Sequence, residues 1–186
     1  MNQLINQIDL LLARQERVTV VIDGFCTSGK TTLAGRLAEK YDCCVIHMDD
    51  FFLRPEQRTR ERLEEPGGNV DRERFGQEVL FPLRRGETVS YRKFDCQTQT
   101  VLDPLSVKGT PLTVVEGAYS MHPDLRGQYD LSVFLDVAPE VQLCRIEKRN
   151  SPGMVRRFLE EWIPLEGRYF QALDVKKQCD LVLTWE

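Results

Sequence analysis

The chain has 186 residues, 41% hydrophobic and 29% charged, with 25 Lys and Arg against 29 Asp and Glu and a net charge of −4 at pH 7. That length suits one domain (residues 1–186) able to bury its own core, and the acidic balance argues against nucleic acid or an anionic membrane surface as partner. The longest apolar runs are only strand length and no basic region leads into a signal-type core, so the expectation is a cytoplasmic protein with no membrane span, its six cysteines reduced.

Leu4, Ile5, Ile8, Leu11 and Leu12 recur at helical spacing, which predicts an amphipathic helix over residues 2–15 with Asn2 as its cap. Residues 18–23 form a β-branched run of strand length, and residues 32–41 place Leu33, Leu37 and Tyr41 on one helical face. Between them lies Gly24-Phe-Cys-Thr-Ser-Gly29-Lys30-Thr31-Thr32, a G-x-x-x-x-G-K-[ST] phosphate-binding loop in the strand-loop-helix setting that such a loop requires. Gly24 and Gly29 allow the tight path that brings backbone N–H groups to phosphate oxygens. The expected nucleotide contacts are Gly24, Thr27, Ser28, Gly29, Lys30, Thr31 and Thr32. Lys30 would reach the β- and γ-phosphates, and the Thr31 hydroxyl would ligate Mg²⁺. Cys26 lies inside the loop, and its sequence position alone leaves open whether it is oxidation-sensitive.

Residues 43–48 show no polar alternation, as expected of a strand buried on both faces, and strand-helix-strand implies a parallel sheet. A right-handed crossover brings the residues after each strand to one sheet edge, where ligands of open α/β sheets bind. Asp49-Asp50-Phe51-Phe52 lands there. Asp49 is the candidate base for an attacking hydroxyl, Asp50 a second carboxylate for acceptor or metal, and Phe52 a wall of the acceptor pocket; a turn-capping pair is the plainer alternative.

Residues 54–72, rich in Arg and Glu and broken by Pro55, Pro66, Gly67 and Gly68, read as a loop or short helix. Asp71 suits the N-cap of a helix over 72–85 carrying Phe75, Val79 and Leu83, which Pro82 is expected to bend or end. Residues 88–94 and 95–100 read as two short strands, a hairpin insert of about 88–102 that would cover the acceptor. The strands at 112–116 and 131–136 both end in a carboxylate. Glu116 is favoured over Asp136 as the Mg²⁺ residue because Gly117 permits close approach, whereas Asp136 precedes a helix start at Pro139.

The helix from 139 to about 149 sets Arg145, Lys148 and Arg149 on one face, with Arg156 and Arg157 beyond residues 151–153. This predicts an arginine lid over about 145–158 that neutralises charge on a transferred phosphoryl group, a solvated basic face being the alternative. Trp162, Ile163, Leu165, Tyr169 and Phe170 read as core, residues 180–184 as a closing strand, and His47 and His122 as structural.

In this order the motifs resemble the uridine kinase and phosphoribulokinase group of P-loop kinases, over about residues 18–184. The loop, His47-Met-Asp49-Asp50-Phe51-Phe52, Asn69-Val-Asp71, the hairpin at Tyr91 to Phe94, Val115-Glu116-Gly117 and Lys176-Lys-Gln-Cys-Asp180 carry the resemblance. It implies an α/β P-loop sandwich around a parallel five-stranded sheet, ATP and Mg²⁺ as cosubstrates, and γ-phosphoryl transfer to a hydroxyl of a ribose-like small molecule, a nucleoside first. It also implies Asp49 as base, Asp71 and Tyr91 on the acceptor, Glu116 on Mg²⁺, and Arg145, Arg149 and Arg156 in the lid.

One departure stands out. Uridine kinases have a histidine in the hairpin after its aromatic residue, and residues 91–98 contain none. Nicotinamide riboside, pantothenate, glycerate or a sugar phosphate is the alternative acceptor, with Arg92 and Lys93 placed to meet an anion. A GTPase-like switch would need an N/T-K-x-D motif, which is absent; a catalytically idle nucleotide-binding module is the remaining class.

Overall fold

The computed structural model describes residues 1–184. The amino-terminal part runs α1 (Asn2–Leu12), β1 (Val18–Asp23), α2 (Lys30–Lys40) and β2 (Cys43–His47), then short 3₁₀ turns at Met48–Phe51 and Pro55–Gln57 and α3 (Arg60–Glu64). The middle holds α4 (Arg72–Phe75), α5 (Phe81–Arg84), β3 (Val89–Asp95), β4 (Thr100–Val107), β5 (Leu112–Glu116) and α6 (Pro123–Arg126). The rest comprises β6 (Leu131–Asp136), α7 (Pro139–Arg149), α8 (Pro152–Arg157), α9 (Ile163–Ala172), α10 (Val175–Gln178) and β7 (Leu181–Thr184).

Five strands form one parallel sheet in the order β2-β5-β1-β6-β7, the α/β architecture expected. The inner strands β1, β5 and β6 are buried along nearly their whole length because both faces of the sheet are covered. Val20, Ile22, Val114, Val133 and Leu135 pack with Leu4, Ile8, Leu33 and Leu37 from α1 and α2. Val21, Val115 and Phe134 face the other way, toward Phe51, Phe75, Tyr91 and Tyr169. This order sets β1, β5 and β2 side by side, so the loops after them share one edge of the sheet.

Several elements differ from expectation, each for a local reason. Asn2 is the first helical residue, not the cap; Met1 holds the cap position and no side chain caps it. β2 is an edge strand and only Ile46 is fully buried, because a single neighbour cannot cover it. Pro82 does not end its helix: a π-helical turn at Gly76–Leu80 joins α4 to α5, which runs on to Arg84. The wider turn relieves the clash between the proline ring and the preceding turn and spares the missing N–H. The same device recurs at Phe158–Trp162, ahead of Pro164 in α9.

The second hairpin strand begins at Thr100, not at 95, and extends the hairpin to Val107. The Asp95 carboxylate accepts from Gln97 N at 2.8 Å and Thr98 Oγ1 at 2.9 Å, which ties residues 96–99 into the turn. Of the predicted carboxy-terminal core, Tyr169 and Phe170 are buried, while Trp162, Ile163 and Leu165 are half-buried. Among the described residues no helix is long and apolar enough to cross a membrane.

Candidate active site

The loop after β1 follows a path that few side chains tolerate. Gly24 has φ +146°, and a Cβ there would lie 2.3 Å from the Leu135 carbonyl oxygen; Gly29 has φ +105° and Thr27 φ +56°. Asp23 anchors the loop from below. One carboxylate oxygen accepts from Gly24 N at 2.7 Å, and the other accepts from Met121 N and the Tyr169 hydroxyl, both at 2.9 Å. Complete burial raises the Asp23 carboxyl to about 6, against those bonds and the nearby Lys30.

Side chains from three helices grip the loop from above. Lys30 Nζ donates to the carbonyls of Gly24 (2.7 Å) and Phe25 (2.8 Å). Arg145 Nη1 donates to those of Thr27 (3.2 Å) and Ser28 (3.3 Å), and Gln142 Nε2 to that of Cys26 (3.0 Å). Glu166 of α9 accepts from Cys26 N at 2.8 Å. Burial, with Glu166 beside it, pushes the Cys26 thiol up to about 12, which disfavours the reactive thiolate.

A cleft of about 250 Å³ opens over the loop and brings Lys30, Thr31, Asp49, Glu116, Arg149 and Glu166 together. The Thr31 hydroxyl donates to Glu116 at 3.0 Å, and His47 Nδ1 lies 2.5 Å from the same oxygen. His47 and Glu116 are register partners across β2 and β5, and the hydrogen bond raises the His47 pKa. Asp49 keeps solvent access, yet protein crowds around it. This desolvation raises its carboxyl above the ordinary range, Lys30 opposing and Glu116 reinforcing.

Thr31 and Glu116 are hard oxygen donors side by side at the loop, and such a pair fits Mg²⁺, which takes few protein ligands beside water and phosphate. Among the described residues no group of three His, Cys, Asp or Glu is placed to hold a metal. Asp136 points elsewhere, its carboxylate 2.6 Å from Lys176 Nζ and 3.2 Å from Val137 N.

Beside the cleft, the turn carrying Asp49 is held by Phe51, stacked on Tyr91 and edge-on to Phe75 at 5.1 Å each, with Arg74 over its ring at 4.4 Å. Asp50 accepts from the Tyr91 hydroxyl at 3.1 Å and pairs with Lys93 at 3.0 Å, so both hairpin residues brace a carboxylate. Arg92 sits on the exposed face of β3, opposite Tyr91. Phe52 bridges to Val70, and Asp71 N donates to the Phe51 carbonyl at 2.7 Å. Asp71 is buried, caps α4 through Arg74 N (3.1 Å) and accepts from Gln57 Nε2 (2.7 Å). Arg58 stands 5.7 Å from the centre of the Phe94 ring, and the Cys96 thiol at the hairpin turn feels the charges of both Arg58 and Asp49.

Of the expected lid residues, Arg145 is on the loop and Arg149 lines the cleft, where it makes no hydrogen bond or ion pair among the described residues. Arg156 and Arg157 pair with Glu160 and Glu161 on their own helix. Sequence reasoning missed Asp23, Gln57, Gln142 and Glu166 and took His47 as merely structural. Only His47 carried a signal, standing at the end of a strand two residues before the acidic pair.

No family model matches the chain. Among solved structures, one described as a possible uridine kinase from Bacillus stearothermophilus is 23% identical over 97% of this chain and 99% of its own, with a TM-score of 0.71. Another, described as a candidate fructose transport system kinase from Silicibacter sp. TM1040, is 25% identical over 97% and 96%, with a TM-score of 0.74. The chain thus has the fold of P-loop kinases of the uridine kinase and phosphoribulokinase type.

Proposed function

We propose that the protein is an ATP-dependent kinase that transfers the γ-phosphoryl group to a hydroxyl of a small ribose-bearing molecule, a nucleoside first. The observation that carries this reading is the meeting of Asp49 with Lys30, Thr31 and Glu116 in one cleft. The loop amides and Lys30 hold the phosphates, and Arg149 offsets charge that develops on them. Thr31 and Glu116 hold Mg²⁺, which when bound neutralises phosphate oxygens. Asp49 takes the acceptor hydroxyl's proton as that oxygen bonds to the γ-phosphorus; the bond to the β-phosphate bridging oxygen breaks, its electron pair leaving on ADP. A carboxyl with a raised pKa is the stronger base for this transfer. Asp71, fixed by Gln57 and the start of α4, meets the sugar hydroxyls, and the hairpin covers them.

Arg58, 5.7 Å from the centre of the Phe94 ring and close enough to act on the hairpin thiol Cys96, which Asp49 also influences, favours a second reading, an acceptor bearing a phosphate or carboxylate. Sugar phosphate, glycerate and pantothenate are candidates of that kind.

The test is ADP release from MgATP with uridine, cytidine, nicotinamide riboside, pantothenate, glycerate and ribulose 5-phosphate, run beside Asp49→Asn. One acceptor should stimulate release, and the variant should lower turnover by about 10² to 10⁴ while MgATP binding persists. Equal loss of MgATP binding would remove Asp49 from the role of base.

A further inference from the structure

The peptide between Phe25 and Cys26 is held from both ends: Lys30 donates to its oxygen at 2.8 Å and Glu166 accepts from its N–H at 2.8 Å. A loop N–H aimed at a carboxylate oxygen repeats what the loop offers a phosphate oxygen. Glu166 is only 6% exposed, yet its side chain lines the cleft with Lys30, Thr31 and Arg149. An ionised carboxylate there would repel a triphosphate. A neutral carboxyl would not, and it has an O–H to donate.

The surroundings favour the neutral form. Burial raises Glu166 to about 7, with Asp23 at the end of β1 pushing the same way and the Cys26 amide and Lys30 of α2 opposing. Tyr119 beyond β5 senses the Glu166 charge, while Arg149 of α7 faces the cleft together with Asp49 and Glu116. An entering triphosphate adds negative charge to the same space and drives the carboxyl further toward its acid form.

Resting on the kinase reading, we propose that Glu166 is a nucleotide-binding residue that engages the terminal phosphate as a neutral acid, one oxygen keeping the Cys26 N–H while the other donates to a phosphate oxygen. The proton comes from solvent, so nucleotide binding above neutral pH is coupled to uptake of a proton.

Calorimetric titration of the full chain with MgATP, in buffers of different ionisation enthalpy at about pH 6 to 8.5, reads this directly. Relative to Glu166→Gln, the wild type should take up close to one extra proton per site at the alkaline end and lose about tenfold in affinity per pH unit. Glu166→Gln keeps an oxygen for Cys26 N–H and supplies a fixed donor, so its affinity should stay level and exceed that of the wild type at high pH. A variant with the wild-type proton count and pH slope, or one that binds more weakly throughout, would overturn the proposal. Should the variant fail to fold, a buffer-independent heat of binding in the wild type does so alone. Absence of any MgATP binding would overturn the kinase reading itself, a different result from binding without proton uptake.

Discussion

Asp23 accepts three hydrogen bonds where β1 meets the loop, and the Tyr169 hydroxyl is the one that mutation removes cleanly. With its folded pKa near 6, above the ordinary 3.8, Asp23 binds more proton in the folded than in the unfolded chain between those values. Its contribution is therefore full at acid pH, falls as pH rises toward 6, and is level above. At pH near 8 the bond goes to a charged group and is worth about 1.5 to 3 kcal/mol; near pH 5 it is a neutral bond worth about 1. Tyr169→Phe should accordingly lose more stability at pH 8 than at pH 5 by urea unfolding, and an equal loss at both would show that Asp23 is not the titrating group. Lys30, Thr31, Asp49 and Glu116 were legible as site candidates because each sits at a fixed offset from a strand end. Glu166 was not, since its partner Cys26 is 140 residues away and helix α9 reads only as packing.

Strands and most helices were legible because β-branched runs and four-residue spacings report burial directly. What the chain hid were elements in which one residue overrides its neighbours: Asp95 tying the hairpin turn, and π-helical turns admitting Pro82 and Pro164. Gly117 shows an element boundary legible on both levels. At φ +142° a Cβ there would lie 2.7 Å from Met48 Cβ, in the turn that carries Asp49. Gly117→Ala combines backbone strain of about 1 to 3 kcal/mol with a push on that turn. If Asp49 acts as the base, displacing it by about 1 Å should cost on the order of 10² in turnover. The kcat of the folded variant measures this. A wild-type kcat would mean that Met48 yields without moving Asp49.

At the scale of the molecule, the sheet order explains why residues as distant as 30, 49 and 116 share a cleft: β1 supplies the loop, its neighbour β5 supplies Glu116, and the next strand β2 leads to Asp49. A parallel sheet was legible from the alternation of strands and helices, but neither its order nor the π-joined helices were, because both depend on partners far apart in the chain. If this arrangement is a triphosphate site, nucleotide binding must stabilise the whole fold by linkage. MgATP at about a hundred times its dissociation constant contributes about 2.7 kcal/mol, and for a chain of this size that raises the melting temperature by about 5 to 10 °C. Lys30→Ala should abolish the rise, and it should also lower the melting temperature without nucleotide, because Lys30 holds the Gly24 and Phe25 carbonyls. Asp49→Asn, which alters no loop contact, should keep the full rise. A Lys30→Ala protein that MgATP stabilises as much as the wild type would show that the nucleotide binds away from the loop, and the chemistry assigned to the cleft would fall with it.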